Sequence, residues 1–208
     1  MPSRWSCVAA CALLPALLLG VAGPASASQS MMRPGGVPKP MVPGSEMDPA
    51  ACGDLAITLE PATDFHSMGC SRGPATHGGG TGWATKSEIA AAGPESRFFV
   101  YLYVAGVSSF FERKDPQSLF EYVLDYDVPG SWSAAGVFEG YPASRFIAEI
   151  DGMRASCFAF TRHGGHVARS MGYRNRVAGI YCEIKDSARP LEDARISEMI
   201  GRIKTSVF

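Results

Sequence analysis

The residues best suited to chemistry lie between positions 154 and 176, where five arginines and two histidines occur without an intervening carboxylate. Guanidinium groups bind phosphate and carboxylate through paired hydrogen bonds, and glycines let backbone amides approach such a ligand closely. We therefore predict a surface that binds an anionic ligand or an acidic protein partner. A solvated hairpin tip whose charge an acidic helix balances is the alternative. The expected residues are Arg162, His163, Gly164, Gly165, His166, Arg169, Arg174 and Arg176.

A catalytic alternative starts from Arg162-His163-Gly164, which follows an apolar strand pattern. These three residues resemble the signature of the histidine phosphatases, in which the histidine accepts a phosphoryl group and the arginine holds it. The resemblance implies a small hydrolase or phosphatase built around Arg162, His163 and His166. That chemistry needs a second histidine far along the chain, and His166 is too close to His163 to serve. We therefore assign no catalytic residue.

Histidine spacing also raises the question of a metal site. His163 and His166 could chelate a metal from a turn, with His66 and His77 elsewhere in the chain. The surrounding arginines would repel a cation, and no C-x-x-C pair offers a zinc site. A further motif, residues 80–87, lacks the glycine that phosphate-binding loops place directly before the lysine. We predict neither a metal nor a cofactor.

Four cysteines outside the N-terminal segment can form two disulfide bonds, which is the usual state of cysteines in exported proteins. Antiparallel pairing of two strand patterns can place Cys157 opposite Cys182 at the separation that a disulfide needs. The sequence permits three connectivities. We favour Cys52–Cys70 and Cys157–Cys182, because each bond closes a local loop. Buried free thiols are the alternative.

The N-terminal residues predict export. A basic N-terminus, an apolar run over Val8–Val21 and the Ala25-Ser26-Ala27 triplet are typical of a secretory signal peptide, here residues 1–27. Residues 28–50 are rich in proline and predict a disordered linker, followed by one domain over residues 51–208. The mature chain has no apolar run long enough to span a membrane. We expect a periplasmic or secreted protein.

Composition narrows the classes of partner and function. A formal net charge of −1 does not favour nucleic acid, so we expect no nucleic-acid partner. Asparagine occurs once and arginine outnumbers lysine, a bias associated with GC-rich bacterial genomes. We expect a non-catalytic accessory or binding protein of the bacterial cell envelope. The alternatives are the hydrolase described above and a structural subunit of an envelope complex.

Hydrophobic periodicity predicts the elements that must position these residues. The most apolar stretch, Arg97–Val104, predicts a central strand covered on both faces. Asp115 and Pro116 predict the start of a helix whose apolar stripe covers residues 119–124. Asp151-Gly152 predicts a two-residue type I′ hairpin. Further strands are predicted at Leu55–Glu60, Ser133–Glu139, Ala143–Ile150 and in the two cysteine-bearing segments, which a basic, glycine-rich loop joins.

Two other segments complete the expected fold. Residues 61–96 predict a long irregular stretch with a short helix at Ile89–Ala92 behind a capping box. Pro190–Val207 predicts an amphipathic helix. The fold class is therefore α+β, a mostly antiparallel sheet of five or six strands with a mid-chain helix and a C-terminal amphipathic helix. This element order resembles the PsbP/Mog1-type α/β/α sandwich, which implies helices on both faces of the sheet.

Overall fold

A computed structural model describes residues 47–76, 83–123, 132–150, 152–167, 172–185 and 189–208. The predicted signal peptide and residues 28–46 of the predicted linker lie outside this part of the chain. In chain order, the elements are β1 Asp48–Pro49, β2 Ile57–Leu59, β3 Ser67–Thr76, β4 Trp83–Ala92, β5 Ser96–Ala105, β6 Phe111–Glu112, α1 Pro116–Val123, β7 Ser133–Phe138, β8 Tyr141–Ile150, β9 Met153–His166, β10 Gly172–Ile184, α2 Asp193–Gly201 and β11 Ile203–Thr205. Short 3-10 turns cover Cys52–Asp54 and Ala62–Asp64.

One antiparallel sheet of nine strands dominates the molecule. Its strands follow the order β1-β3-β4-β5-β10-β9-β8-β7, and β6 adds a short pairing to β10. A separate ribbon pairs β11 with β2. The predicted sheet of five or six strands in a balanced α+β fold is therefore wrong, and so is the expected α/β/α sandwich. Two of the segments predicted as irregular or helical are long strands.

The sheet separates two hydrophobic cores. Successive side chains of a strand point to opposite faces, so each central strand supplies both cores. The first core lies under α2 and the β2–β11 ribbon and includes Phe98, Phe158 and Tyr181. The second core includes Phe120 of α1 together with Phe146, and the Cys157–Cys182 pair lies within it. Burial of these aromatic side chains removes apolar surface from water on both faces of the sheet, which stabilises the fold.

The prediction of a central strand at residues 97–104 is confirmed. All six side chains from Phe98 to Tyr103 are buried in β5, which pairs with β4 on one side and β10 on the other. Such continuous burial requires apolar residues on both faces, as the sequence pattern indicated. In β10 the burial is equally continuous from Arg176 to Ile184.

Residues 61–96 are where the predicted fold fails most. Residues 67–76 form β3 and residues 83–92 form β4, paired with each other along their whole length. The predicted helix at Ile89–Ala92 is part of β4. Its side chains alternate between Ile89 and Ala91, which enter the first core, and neighbours on the opposite face. Pairing with two long strands outweighs the local helix preference of alanine and glutamate.

The N-terminal edge also differs from expectation. Asp48 and Pro49 form β1 and pair with Arg72 and Ser71 of β3, although this segment was predicted to belong to a disordered linker. The Ala50 N–H donates to the Cys70 carbonyl at 2.9 Å and continues this attachment. The described end of the predicted linker therefore covers part of an edge strand, which is one way in which proteins protect exposed sheet edges.

The predicted mid-chain helix is confirmed at its start. Asp115 precedes α1, its Oδ1 accepts a hydrogen bond from the Ser118 N–H at 2.9 Å, and its Oδ2 accepts one from the Ser118 hydroxyl at 2.7 Å. Leu119 and Phe120 are buried, as predicted. The remainder of the predicted stripe and the end of this helix lie outside the side chains that the structure describes.

The predicted C-terminal helix is too long. It covers only Asp193–Gly201, with Ile196, Met199 and Ile200 buried. After Arg202 the chain reverses, and Ile203 begins β11 opposite Leu59. Ile203 is buried in the first core as part of β11. Its apolar side chain, which suggested a further helical turn, is therefore explained by a strand.

Two disulfide bonds have the predicted connectivity. Cys52 is bonded to Cys70, and Cys157 is bonded to Cys182 with a Cα–Cα distance of 4.1 Å. Cys157 and Cys182 are direct partners in the β9–β10 register, as the period-two pattern indicated. The β8–β9 register pairs Ile150 with Met153, in agreement with a two-residue hairpin. None of the helices in the described ranges is long and apolar enough to cross a membrane.

Candidate functional site

The basic, glycine-rich segment is mostly strand rather than loop. Strand β9 continues to His166 and β10 begins at Gly172, so only residues 167–171 connect them. In the described part of this segment, neighbouring candidate residues therefore alternate between the two faces of the sheet. This alternation divides the predicted binding surface into separate environments.

One cleft contains part of the predicted surface. It encloses about 420 Å³ where the end of β9 meets the start of α1 and the β7–β8 turn. Arg162 and His163 contribute to its floor. Its other lining residues are Arg113, Lys114, Asp115, Val137, Gly140, Pro142, Thr161 and Tyr173.

His163 is the titratable group at the centre of this cleft. Burial, followed by the positive charges of Arg176 and Arg113, lowers the pKa of the imidazole from 6.5 to about 4. The Glu112 backbone, which is hydrogen bonded to the ring, acts in the opposite direction. His163 Nε2 is buried without a hydrogen-bond partner in the described structure. At neutral pH this ring is therefore uncharged, and the arginines near it make the local electrostatic potential positive.

Arg176 lies behind His163 as its direct partner in the β9–β10 register. Its side chain is 2 % exposed, and its guanidinium carbon lies 5.0 Å from the Tyr103 ring centroid and 4.5 Å from that of Phe111. Burial lowers the pKa of Arg176 to about 10, and Tyr103 acts in the opposite direction. Among the described residues, no carboxylate forms an ion pair with it, and its Nε has no hydrogen-bond partner. A positive charge is thus held inside the second core by aromatic faces.

The wall opposite β9 comes from the segment that leads into α1. Arg113 and Lys114 line the cleft there, next to Asp115. Hydrogen bonds from Ser118, which outweigh the effect of burial, lower the pKa of Asp115, so its carboxylate is ionised but engaged with the helix start. Lys114 Nζ lies 3.9 Å from the Glu112 carboxylate. Counting Arg162 of the lining and Arg176 behind His163, four cations lie at or beside the cleft against the two carboxylates of Asp115 and Glu112, so the cleft has an excess of positive charge.

Arg162 occupies the opposite face of the sheet from His163. Its guanidinium carbon lies 5.2 Å from the Tyr141 ring centroid and 4.7 Å from that of Phe208. Tyr141 belongs to the first core, whereas His163 is directed toward Arg176 on the second. Both residues line the cleft, but their side chains leave β9 on opposite faces, so they do not stand side by side as in the predicted phosphatase-like triplet.

Gly164 does not expose its backbone to a ligand. A Cβ at Gly164 would lie 2.1 Å from Phe208 Cδ1, so the ring packs directly on this glycine. The Asn175 side-chain amide donates to the Val207 carbonyl at 2.9 Å and fastens the same segment to β10. Gly165 has a φ of 65°, which explains the glycine at that position without a ligand.

The remaining candidates do not join the cleft. Arg174 Nη1 lies within hydrogen-bond distance of the Gly106, Val107 and Ser109 carbonyl oxygens, at 2.8, 2.8 and 3.2 Å. His166 is exposed and contacts the Tyr173 ring edge-on at 5.6 Å between centroids. Arg169 lies outside the described residues. Arg174 is therefore a structural residue that fixes a loop.

The sequence analysis predicted only two of the ten residues that line the cleft, and among the eight that it missed are Arg113, Lys114 and Tyr173. Arg113 and Lys114 follow a strand of only two residues that no periodicity reveals. Tyr173 lies within the predicted basic loop, but the prediction considered only the charged residues and the glycines of that loop. The available signal in the sequence was the basic pair Arg113-Lys114, directly before the Asp115 helix cap.

No metal centre forms within the ranges that the structure describes, because no three histidine, cysteine or acidic side chains cluster there. His66 and His163 lie apart, and Cys70 is in a disulfide bond. His77 lies outside the described ranges. No protein-family model, curated protein or solved structure matches this chain.

Proposed function

We propose that this chain is an exported, non-catalytic binding protein whose ligand is an anion held in the cleft between Arg113 and His163. The proposal is supported chiefly by the burial of Arg176, which is 2 % exposed and forms no ion pair with a described carboxylate. A buried charge without a counter-ion raises the electrostatic potential of the adjacent surface, because the low-dielectric core does not screen it. An anion bound in the cleft would stabilise this buried positive charge.

The composition of the cleft wall supports the same proposal. Arg113 is an exposed arginine whose guanidinium can form paired hydrogen bonds to an oxyanion. Val137 and Pro142 supply an apolar side to the cleft. The ligand that fits is therefore an oxyanion attached to an apolar or small organic group.

The proposal also states that the protein is exported. The signal-peptide pattern of residues 1–27 supports it directly. The two disulfide bonds agree with an oxidising compartment and add weak support. A periplasmic or secreted location places the cleft in the cell envelope, where phosphate-bearing and carboxylate-bearing molecules are abundant.

Calorimetric titration with inorganic phosphate, sulfate and citrate tests the binding proposal. We expect saturable binding of at least one anion, weakened about tenfold by Arg113→Ala because a charge-assisted bond is lost. Arg154→Ala is the matched control, since Arg154 is an exposed arginine at the opposite end of β9. Absence of binding by all three anions, or equal effects of the two substitutions, would contradict the proposal.

A catalytic role is not proposed, because Arg162 and His163 face opposite sides of the sheet. The distinction is measurable with p-nitrophenyl phosphate as a general substrate. Turnover by the purified protein that disappears in His163→Ala would replace the binding proposal with a phosphatase. We expect no turnover from either protein.

A further inference from the structure

Exposed apolar side chains are concentrated at one end of the sheet. Seven large apolar residues of the described chain are exposed, and five of them lie at the end of the sheet where β5, β7 and β9 end and β8 and β10 begin. Met68 and Met153 are the two at the opposite end. The five are Val104, Val107, Phe110, Val137 and Phe208. A concentration of this kind indicates an interaction surface, whereas scattered exposed apolar residues do not.

The loop that carries the most exposed of these residues is held rigidly. Val107 is 91 % exposed, yet its own carbonyl and those of Gly106 and Ser109 all point at Arg174 Nη1. Phe110 is 44 % exposed and packs on β10, because a Cβ at Gly172 would lie 2.1 Å from its ring. The two apolar groups are therefore presented by a fixed backbone.

The chemistry of this end is layered. Val107 and Phe110 are exposed, the Arg174 guanidinium donates hydrogen bonds to the backbone of their loop, and Arg113 follows three residues after Phe110 at the wall of the cleft. A bilayer surface has the complementary layering, with acyl chains below a plane of phosphate groups. A single orientation of the protein on the bilayer would place its apolar side chains in the interface and its cations at the phosphate groups.

We infer that this end of the sheet docks on an anionic phospholipid surface, with Val107 and Phe110 entering the interface and a lipid phosphate occupying the cleft. The inference rests on the proposed function for the choice of an anion, and it adds the source of that anion. A protein partner fits less well. Stable protein interfaces need roughly 800 Å² from each partner, whereas the largest exposed apolar fraction at this end belongs to a single valine, Val107.

Vesicle sedimentation tests this inference. One set of vesicles contains phosphatidylglycerol mixed with phosphatidylcholine, and the other contains phosphatidylcholine alone. We expect the wild-type protein to sediment with the first set and not the second. Val107→Asp should weaken binding about tenfold or more, since a charge in place of an exposed apolar tip disfavours the interface. Met153→Asp should have no effect, because Met153 is exposed at the opposite end of the sheet.

The possible failures are distinguishable. A protein that binds inorganic phosphate but neither type of vesicle keeps the proposed function and overturns the lipid surface. Vesicle binding that Arg113→Ala leaves unchanged overturns the phosphate contact in the cleft, whatever Val107→Asp does. Equal loss with Val107→Asp and Met153→Asp overturns the assigned orientation. A dimer in sedimentation velocity that Val107→Asp dissociates would show that a second copy covers this end, which also overturns the inference.

Discussion

His163 and Arg176 face each other directly across β9 and β10, and each has a buried ring or guanidinium nitrogen without a hydrogen-bond partner among the described residues. This pair connects the cleft to the second core. Its electrostatics lead to the first prediction, which concerns the stability of the protein in acid.

Stability should fall as the pH decreases from about 6.5 to about 4. The folded pKa of His163 is about 4, below its ordinary value of 6.5, so in this window the unfolded chain binds a proton that the folded chain does not. Stability from this group is complete above 6.5 and is lost on acidification. We expect a loss of about 1–2 kcal/mol, less than the full shift implies because the ring is partly exposed.

Urea denaturation at a series of pH values measures this effect in the wild-type protein and in His163→Gln. The substituted protein should show a smaller decrease in unfolding free energy over the same window. Parallel curves for the two proteins would mean that another group is responsible. The depressed carboxyl pKa values, among them those of Asp115 and Glu183, affect both proteins equally.

Gly179→Ala should destabilise the protein by at least about 3 kcal/mol. A Cβ at this position in β10 would lie 2.4 Å from Phe160 Cζ and 2.4 Å from the Phe99 backbone oxygen. The backbone oxygen cannot move without disturbing the pairing of β5 with β10. Gly69→Ala in β3 is the control, since no atom lies within 4 Å of the position that its methyl group would take, and it should change stability by less than about 0.5 kcal/mol. Thermal and urea denaturation of both proteins provide the comparison.

Removing the two disulfide bonds should have unequal effects. Both close loops of similar length, 18 and 25 residues, so each contributes a similar loop entropy of about 3 kcal/mol. Cys157 and Cys182 are fully buried, whereas Cys52 and Cys70 are partly exposed. The double substitution of Cys157 and Cys182 by alanine should therefore cost about 1–2 kcal/mol more than that of Cys52 and Cys70, because it also leaves a cavity. Equal urea midpoints for the two double variants would contradict this packing argument.

Glu183→Gln should be more harmful than Glu198→Gln. The Glu183 side chain is 11 % exposed and accepts hydrogen bonds from Arg195 Nε at 2.6 Å and from Lys185 Nζ at 2.5 Å. Burial alone would raise its pKa, but these partners outweigh burial and lower it. Loss of the charge leaves Arg195 facing a neutral amide beside the Tyr181 hydroxyl, and we expect a loss of about 2 kcal/mol.

Glu198 also contacts Arg195, but its side chain is 48 % exposed. Water can replace that contact, so Glu198→Gln should cost no more than about 1 kcal/mol. Denaturation at neutral pH compares the two variants. A larger effect of Glu198→Gln would show that the network is organised from α2 rather than from β10.

The sequence predicted elements whose pattern is local and strong. The β5 run of apolar residues, the Asp115 helix cap and the cysteine-bearing strands all follow from period-two alternation or cap chemistry, which neighbouring residues determine. Strand β3 contains Gly69, Gly73 and Pro74 and has no such pattern. It is specified by its pairing with β4, and pairing partners distant in sequence cannot be read from local periodicity.

The candidate site was predicted in part for the same reason. Charge in residues 154–176 drew attention to His163, which lines the cleft, and to Arg176, which is its partner in the β9–β10 register. The interpretation as a loop hid the alternation that separates Arg162 from His163. Arg113 approaches the cleft from β6 and the start of α1, and this proximity depends on tertiary packing. A local pattern therefore identified one wall of the cleft and not the other.

The division of β10 between two cores restricts how related sequences can vary in length. A single inserted residue between Arg176 and Cys182 would exchange the faces of every side chain beyond it. Cys182 would leave the disulfide, and Tyr181 would leave its contact with Arg195 at the same time. Insertions and deletions are therefore excluded from this strand. They should be confined to connections at the ends of the sheet, and the surface proposed to recognise lipid lies at one of those ends.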